Sequence, residues 1–500
     1  VKSASKFEKI AARCWNLLNE GKPFTPIFIT GTLILFNFDS LFNRQEAVSF
    51  GIAFLVIVPL LVIFYLYDFP LFLRNYLWLP LVAFTFLWQN TNLPLLLFAV
   101  CLYFFFTVFF WGTLYYHLRI GTSWLNFTRF WKLVLKNSDS TSGNAQEQLP
   151  KVMLILSVWN MVFQNHQSGD HLPLMEIGYF YVGLLVFTLI LHHFLFDWKP
   201  IPYKEFTNGP KISPKGISNR VVVIVVDGMR KERFYEANTP FLDKLKENGT
   251  EYLNMETVYP ARTVVCFTSM FSGTYSFEHG IKSNMVWKTG MRVESIFDSL
   301  RKVGKKGRLL AVAHLVDSMG DDVDTFTAVM HNDKADPVIM EHARRIMKEQ
   351  DPELMVIQMI ATDQTGHSRG VLYDEYIQKI EEADKLIEQF VEHLEIEEKM
   401  DDTTLIICAD HGQADGIGGH GHLDEGERYV PFFMHGPAIE KGKKIQEKQS
   451  LVSLAPTIAY LLGAPYPSHS RGRVLTEAII DKKEEKEIET TENHRFPASL

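Results

Sequence analysis

Three apolar runs beyond residue 220 each stop at an aspartate. VVVIVV at 221–226 ends in Asp227-Gly228, and LMVIQMI at 354–360 leads through Ala361-Thr362 to Asp363, with Gly366-His367 close behind. LIIC at 405–408 leads through Ala409 to Asp410-His411 and then to a glycine-rich loop carrying His420 and His422. Short β-branched runs of this kind predict buried strands. Carboxylates and imidazoles are what a borderline divalent ion such as zinc binds, and the glycines let the backbone turn sharply enough to gather distant side chains. Taken singly, each group also has a structural use, as a helix cap or a satisfied core histidine. In an open α/β sheet, however, ligands bind beyond the carboxyl ends of the strands, so the three aspartates can share one crevice.

A nucleophile candidate lies between the first two runs. Tyr259-Pro260-Ala261-Arg262-Thr263 enters VVCFTSMFSG, an apolar helical stretch closed by Gly273. The spacing puts Thr263 at the helix amino terminus, where free N–H groups and the helix dipole favour an anion such as phosphate. A threonine hydroxyl becomes a useful nucleophile when a metal ion lowers its pKa. The alternative is that Thr263 only caps the helix. Thr268 and Ser269 compete for the role from more than a turn further in.

These residues must be held by a sheet, and the pattern supplies one. Strand-like runs recur at 308–313, 354–360, 403–408 and 430–434, with helical patterns at 239–247, 338–348 and 373–394 between them. In the last, Ile377, Ile380, Ala383, Ile387, Phe390 and Leu394 line one face. Alternating strands and helices predict an α/β domain, a mostly parallel sheet flanked by helices, over residues 220–480. A Pro/Lys/Gly/Ser-rich stretch at 199–219 reads as a linker, and 481–500 as a charged, solvated tail.

The first 198 residues differ in kind. Uncharged apolar stretches between Glu46 and Asp68, from Asn92 to Tyr116, and from Ile177 to Phe196 are long enough to span a bilayer; 23–38 and 75–88 are shorter candidates. That gives about five spans in a helical transmembrane domain, 1–198, and the chain reads as a multi-pass integral membrane protein in contact with membrane lipids. The apolar run 152–163 is half a span long and reads as interfacial or re-entrant. With five spans the basic residues Lys2, Lys6, Lys9, Arg13 and Lys22 share a side with Arg119, Arg129, Lys132, Lys136 and Lys151, which by the positive-inside rule puts the catalytic part on the extracytoplasmic side. Lys199, Lys204, Lys211, Lys215 and Arg220 argue the other way. A polar stretch of more than twenty residues precedes the first apolar run, so no cleaved signal peptide is expected, and Val1 stands where a start methionine would. The net charge of −8 and the absence of a basic stripe speak against binding a nucleic-acid polymer. Four scattered cysteines make neither a disulfide framework nor a cysteine zinc knuckle.

Assembled, the motifs resemble the alkaline phosphatase superfamily, and most closely its nucleotide pyrophosphatase/phosphodiesterase branch, over roughly 221–475. Asp227, a P-x-x-T threonine at Thr263, Gly273, His279-Gly280-Ile281, Asn284, Asp363 and His367 within D-x-x-G-H, Asp410-His411 and the GGHGH loop occur in that family's order. FFMHGPA, Leu454-Ala455-Pro456-Thr457 and Gly472-Arg473-Val474-Leu475 are similar to its closing segments. The resemblance implies two metal ions, zinc or alternatively manganese. One would be held by Asp363, His367 and His420, which the match favours over His422. The other would be held by Asp227, Thr263, Asp410 and His411. It further implies in-line attack by Thr263 on phosphorus through a phospho-threonine, with Asn284 steadying a non-bridging oxygen and the two ions about 4 Å apart.

The family often reads T-F-P-N at the nucleophile, whereas this chain has Thr263-Val264-Val265-Cys266, which puts the adjoining substrate pocket in question. No C/S-x-P-x-R pattern is present, which counts against a formylglycine sulfatase. The serine nucleophile of the superfamily's phosphoglycerate mutases counts against that class. The expected function is therefore a membrane-anchored phosphodiesterase or nucleotide-pyrophosphatase-like hydrolase acting on a phosphodiester or pyrophosphate that can be lipid-linked. The alternative is a phosphoethanolamine- or phosphoglycerol-type transferase acting on a lipid or glycan acceptor. In its favour, Met270-Phe271-Ser272 is similar to the MFS after the nucleophile of phosphoethanolamine transferases. A non-catalytic binding protein on the same fold is the third reading.

Overall fold

The computed structural model describes residues 21–67, 75–89, 91–117, 121–129, 131, 145–195, 199–284, 290–312, 315–326, 332–415, 419–421 and 423–480. The expected tail, the basic residues before position 21 and His422 lie outside them.

Among the described residues of the amino-terminal region, six α-helices stand out: α1 (Gly21–Phe36), α2 (Arg44–Leu66), α3 (Trp78–Trp88), α4 (Leu93–Phe104), α5 (Ala145–Ser168) and α6 (Leu174–Leu189). α4 runs on as a π-helical stretch, Phe105–Tyr115. Three helices, Arg44–Leu66, Leu93–Leu114 and Leu174–His193, are long and apolar enough to cross a membrane, and they coincide with the three long expected spans. Phe24–Phe36 and Asn75–Trp88 are shorter apolar helices.

The run 152–163 does not lie at a surface. It is the middle of α5, a 24-residue helix buried along most of its length and packed against α1, α2, α3 and α4. Its polar ends concealed it in the sequence. Lys151 pairs with Glu147 within α5, Gln148 Oε1 accepts from Thr25 Oγ1 at 2.9 Å, Asn160 Oδ1 accepts from Asn92 at 2.9 Å, and His166 meets Ser49 at 2.8 Å, so polar groups in and beside the apolar run are satisfied within the helix or by neighbouring segments. The same contacts give direction. The start of α1 lies beside the start of α5, and the start of α2 beside the end of α5. Among the described helices, α1 begins at the end of the bundle where α6 finishes.

The strands follow in chain order: β1 (Arg220–Val226), β2 (Thr250–Tyr252), β3 (Met255–Glu256), β4 (Gly307–Val312), β5 (Val323–Phe326), β6 (Leu354–Met359), β7 (Thr403–Cys408), β8 (Tyr429–Val430), β9 (Phe432–His435), β10 (Lys443–Ile445) and β11 (Gln449–Ser450). Eight form one sheet in the order β10-β2-β9-β7-β1-β6-β4-β5, and β11-β3-β8 form a second. In the large sheet every pairing is parallel except those of β9. The expected run 430–434 is two strands in two sheets: Val430 pairs with Met255 and Phe432 with Cys408, because Pro431 between them has no N–H to continue a ladder.

Helices cover the large sheet: α7 (Pro240–Glu247), α8 (Thr263–Ser272), α9 (Asp336–Glu349), α10 (Ala361–Arg369), α11 (Asp374–Ile396) and α12 (Leu454–Leu462). The stretch 199–219 is not a free tether. It runs along the domain and is tied to it by Ile217 N and Ser218 N to Leu461 O, Thr207 N to Ser470 O, and Tyr203 N to the Tyr275 hydroxyl.

Register puts the chemistry in place. β1 lies between β6 and β7, with Val226 level with Met359 and Val225 level with Cys408. Three adjacent parallel strands thus end together, and the residues that follow them open one crevice. α10, which starts there, has no side-chain cap of its own. Buried Asp336, from the first turn of α9, supplies one by accepting Ile360 N at 2.8 Å and Ala361 N at 3.1 Å. Replacing Asp336 by alanine leaves two buried N–H groups unpaired and is expected to cost about 1–3 kcal/mol; denaturant unfolding of the purified variant measures it.

Candidate metal centre

Two groups of potential ligand atoms lie at the crevice, each with its atoms within 4.8 Å of one another: Asp363, His367 and His420, and Asp227, Asp363 and His411. The first is the set expected for one ion. In the second, Asp363 stands where Asp410 was expected, so this carboxylate lies between the two positions. Asp410 remains at hand, with Oδ2 3.4 Å from His411 Nε2; Asp227 Oδ1 is 3.6 Å and Thr263 Oγ1 3.3 Å from the same nitrogen. All eight residues singled out in the sequence are thus in or beside one crevice, Asn284 through its bond to Val264.

The imidazoles are oriented from behind. His420 Nδ1 donates to Ala261 O at 2.7 Å and His411 Nδ1 to Gly412 O at 2.9 Å, so each turns an Nε2 lone pair inward. Their rings stack with centroids 3.8 Å apart.

The carboxylates are steered likewise, by residues to which the sequence assigned no role. Gln358 Nε2 donates to Asp227 Oδ2 at 2.6 Å, and Gly228 N to Asp410 Oδ1 at 3.2 Å. The other oxygens, Asp227 Oδ1 and Asp410 Oδ2, are buried and accept no hydrogen bond among the described residues. Two orphaned carboxylate oxygens facing an imidazole and a threonine hydroxyl form a donor set that fits a divalent cation. Gln413 Nε2 donates to Asp363 Oδ1 at 2.6 Å, and this contact explains the glycine of D-x-x-G-H: a Cβ on Gly366 would lie 1.7 Å from Gln413 Oε1. A lone glutamine inside the buried strand LMVIQMI was the one available signal for Gln358.

Charge crowding is evident in the titration behaviour. Burial, then the charges of Asp410 and Asp363, push the Asp227 carboxyl well above its ordinary value, and burial raises Asp410. Burial opposes ionisation of Asp363 too, but the charge and hydrogen bond of His367, then His420 and His411, hold it below the usual range. Burial, then the neighbouring His411, depresses His420 strongly.

Thr263 is the first residue of α8, one position inside the expected cap; Arg262 is the extended residue before it. The helix start is capped from a distance, since Asn284 Oδ1 accepts Val264 N at 2.9 Å. Asn284 is set there through the HGI segment. Buried His279 bonds Ser269 Oγ through Nε2 and accepts Ile281 N at Nδ1, and burial lowers its pKa to about 3, so it is a neutral core residue. Thr268 and Ser269 are buried and engaged, with Val264 O and His279 respectively, so neither rivals Thr263.

Two outcomes follow. Gly366→Ala should displace Gln413 and lower zinc affinity by roughly 10–100-fold, measured by competition with a chelating dye. In protein stripped of metal, Asp227 and Asp410 hold protons in the folded state at pH values where the unfolded chain has lost them. Their contribution to stability is therefore complete below the ordinary value of 3.8 and is lost as pH rises through the elevated native values. This contribution to the melting temperature of chelated protein should diminish as pH rises above 3.8, and an added divalent metal such as zinc should recover stability at the higher pH.

Comparisons with known proteins agree with this geometry. Residues 221–306 match the family model for type I phosphodiesterase/nucleotide pyrophosphatase, and residues 310–466 that of the metalloenzyme superfamily. Among curated proteins, the catalytic subunit of human GPI ethanolamine phosphate transferase 3 is 32% identical over 148 residues, 29% of this chain and 13% of that protein. GPI ethanolamine phosphate transferase 2 of Aspergillus fumigatus is 22% identical over 299 residues, 55% of this chain and 39% of that one. The chain thus spans well under half the length of these relatives. Murine ectonucleotide pyrophosphatase/phosphodiesterase 5 aligns over 52% of this chain and all of its own, with a TM-score of 0.46 and 15% identity. The two consecutive family matches, to 221–306 and 310–466, meet on the crevice described above, so this half of the chain is similar to type I phosphodiesterases/nucleotide pyrophosphatases and to the metalloenzyme superfamily.

Proposed function

We propose that this chain is an integral membrane enzyme that cleaves a phosphodiester with Thr263 as nucleophile and passes the phospho group to a hydroxyl of a lipid-linked acceptor, as an ethanolamine phosphate transferase would. The observation that carries the reading is the convergence of the Thr263 hydroxyl with the orphaned oxygens of Asp227 and Asp410 at His411. The matches to two ethanolamine phosphate transferases and the apolar helices beside the catalytic half favour transfer over hydrolysis.

Asp363, His367 and His420 would hold one divalent ion, and Asp227, Asp410, His411 and Thr263 the other, both zinc. When bound, such ions supply positive charge to the attacking and leaving oxygens and lower the pKa of the hydroxyl. The protein's own groups do the rest. Thr263 Oγ gives up its proton and attacks phosphorus, and the ester oxygen of the leaving alcohol departs and takes up a proton, leaving the retained headgroup joined through its phosphate to Thr263 Oγ as a substituted phospho-threonine. An acceptor hydroxyl then displaces Thr263 from the opposite side. Asn284, fixed by its bond to Val264, presents its amide beside the reacting phosphoryl group, and the first free N–H groups of α8 face the same anion. A hydrolase, with water as the second acceptor, is the other reading, favoured by the match of 221–306 to the phosphodiesterase family model.

Detergent-purified protein with added zinc should cleave bis-p-nitrophenyl phosphate in preference to p-nitrophenyl phosphate, and Thr263→Ala should lose that activity by about 1000-fold or more. With a headgroup-labelled phosphoethanolamine lipid, label should pass to a glycolipid acceptor faster than it appears in free phosphoethanolamine. Release to water alone would establish the hydrolase, and activity surviving in Thr263→Ala would remove the assigned nucleophile.

A further inference from the structure

The helix that carries two of the metal ligands, α10 with Asp363 and His367, is capped at its amino end by Asp336. Its carboxyl end is held by residues from the other half of the chain. Asn126 donates one N–H of its amide to Ser368 O at 3.2 Å and the other to Gly112 O, in the π-helical stretch, at 2.8 Å. Arg129 donates to Arg369 O at 3.4 Å and to Glu375 Oε1 at 3.2 Å through each of two guanidinium nitrogens, and its guanidinium lies 4.2 Å from the centre of the Tyr373 ring. Ser368 and Arg369 are the last residues of α10, whose final carbonyls have no partner within the helix. A cation there also opposes the negative end of the helix dipole.

The contact is not confined to one point. Tyr373 and Tyr259, which leads into the Thr263 loop, both pack against the hydrophobic cluster of the amino-terminal helices, and the Lys199 ammonium lies 4.8 Å from the Tyr259 ring. Tyr116 lies within electrostatic range of Asp363. The helical half therefore touches the catalytic half on both sides of the metal centre, beside the ligand helix and beside the nucleophile loop.

We infer that Arg129 and Asn126 are positioning residues of the metal centre: the helical half supplies the carboxyl-terminal cap of α10, and this cap sets where Asp363 and His367 stand. The inference rests on the two-metal reading of the site and extends it to a part of the chain remote in sequence. In mechanical terms, α10 has nine residues, so a tilt at Arg369 moves His367, two residues away, almost as far. The Arg129 fork acts on Glu375, in the first turn of α11, as well as on Arg369 O, and so locks the corner between the two helices.

The test is zinc affinity of the full chain in detergent, by competition with a chromophoric chelator, for wild type, Arg129→Ala, Arg129→Lys, Asn126→Ala and Glu375→Gln. Arg129→Ala and Glu375→Gln should each lose about tenfold in affinity, the size of loss typical of groups that orient metal ligands. Arg129→Lys, which keeps the charge and loses the fork, should fall between. The melting temperature of the metal-free protein should stay within a few degrees of wild type, a result that separates positioning from general stabilisation. Zinc affinity within twofold of wild type in the folded variants overturns the inference, and so does a loss matched by an equal fall in metal-free stability. If Arg129→Ala does not fold, Glu375→Gln, whose carboxylate is 35% exposed, decides by the same criterion. No substrate enters the measurement, so an inactive protein that binds zinc contradicts only the proposed reaction, and a wild type that binds none overturns both.

Discussion

Three carboxylates buried side by side are the constraint around which the catalytic half is built. Asp227, Asp363 and Asp410 are each less than a twentieth exposed and follow three adjacent strands of one sheet. Anions removed from water at such spacing repel one another and forgo hydration, a cost that neutral hydrogen-bond donors offset only in part. The structure does not relieve it by protonating all three. Histidines hold Asp363 ionised, while Asp227 and Asp410 are driven towards their neutral forms, and one oxygen of each is left without a donor among the described residues. This is an arrangement that positive charge completes.

The remaining features read as means of keeping that crowding in register. Ladders of β1 with β6 and β7 set the height of the strand ends. Gln358, Gln413 and the Gly228 amide hold the outward-facing lone pairs, so the carboxylates cannot rotate away. Gly228 has φ +65°, and a side chain there would press on Asp363, so the turn after β1 serves both backbone direction and clearance. Backbone carbonyls of Ala261 and Gly412 fix two imidazoles, tying the nucleophile loop and the last-ligand loop into one unit.

Much of this was legible in sequence because it is local. A β-branched run followed by aspartate announces a buried strand and its functional end, and the periodic apolar positions of α11 announced a helix packed on the sheet. The residues that converge on the crevice could be singled out because several motifs occur in one order. What escaped depends on partners distant along the chain. Gln358 and Gln413 gain meaning from aspartates 131 and 50 positions away. The shared position of Asp363 could not be read from ligand order, because order does not say which oxygen faces which ion. α5 was misjudged because hydropathy treats Glu147, Gln148 and Lys151 as boundary residues, whereas the helix bundle satisfies them internally. The split of 430–434 into two strands turned on a single proline, visible in the sequence but read past.

The contacts of Arg129 and the packing of Tyr259 and Tyr373 against the amino-terminal helices join the catalytic half to the end of a bundle that carries, among the described residues, three membrane-length helices. For a bundle embedded in a bilayer, they hold the metal centre at one height above the lipid surface. Such an enzyme measures as well as recognises. On the proposed transferase reading, a lipid donor whose headgroup is too short to reach Thr263 while its tails stay in the bilayer would be refused whatever its chemistry, and a long glycan acceptor would have to fold back to bring its hydroxyl to the same level.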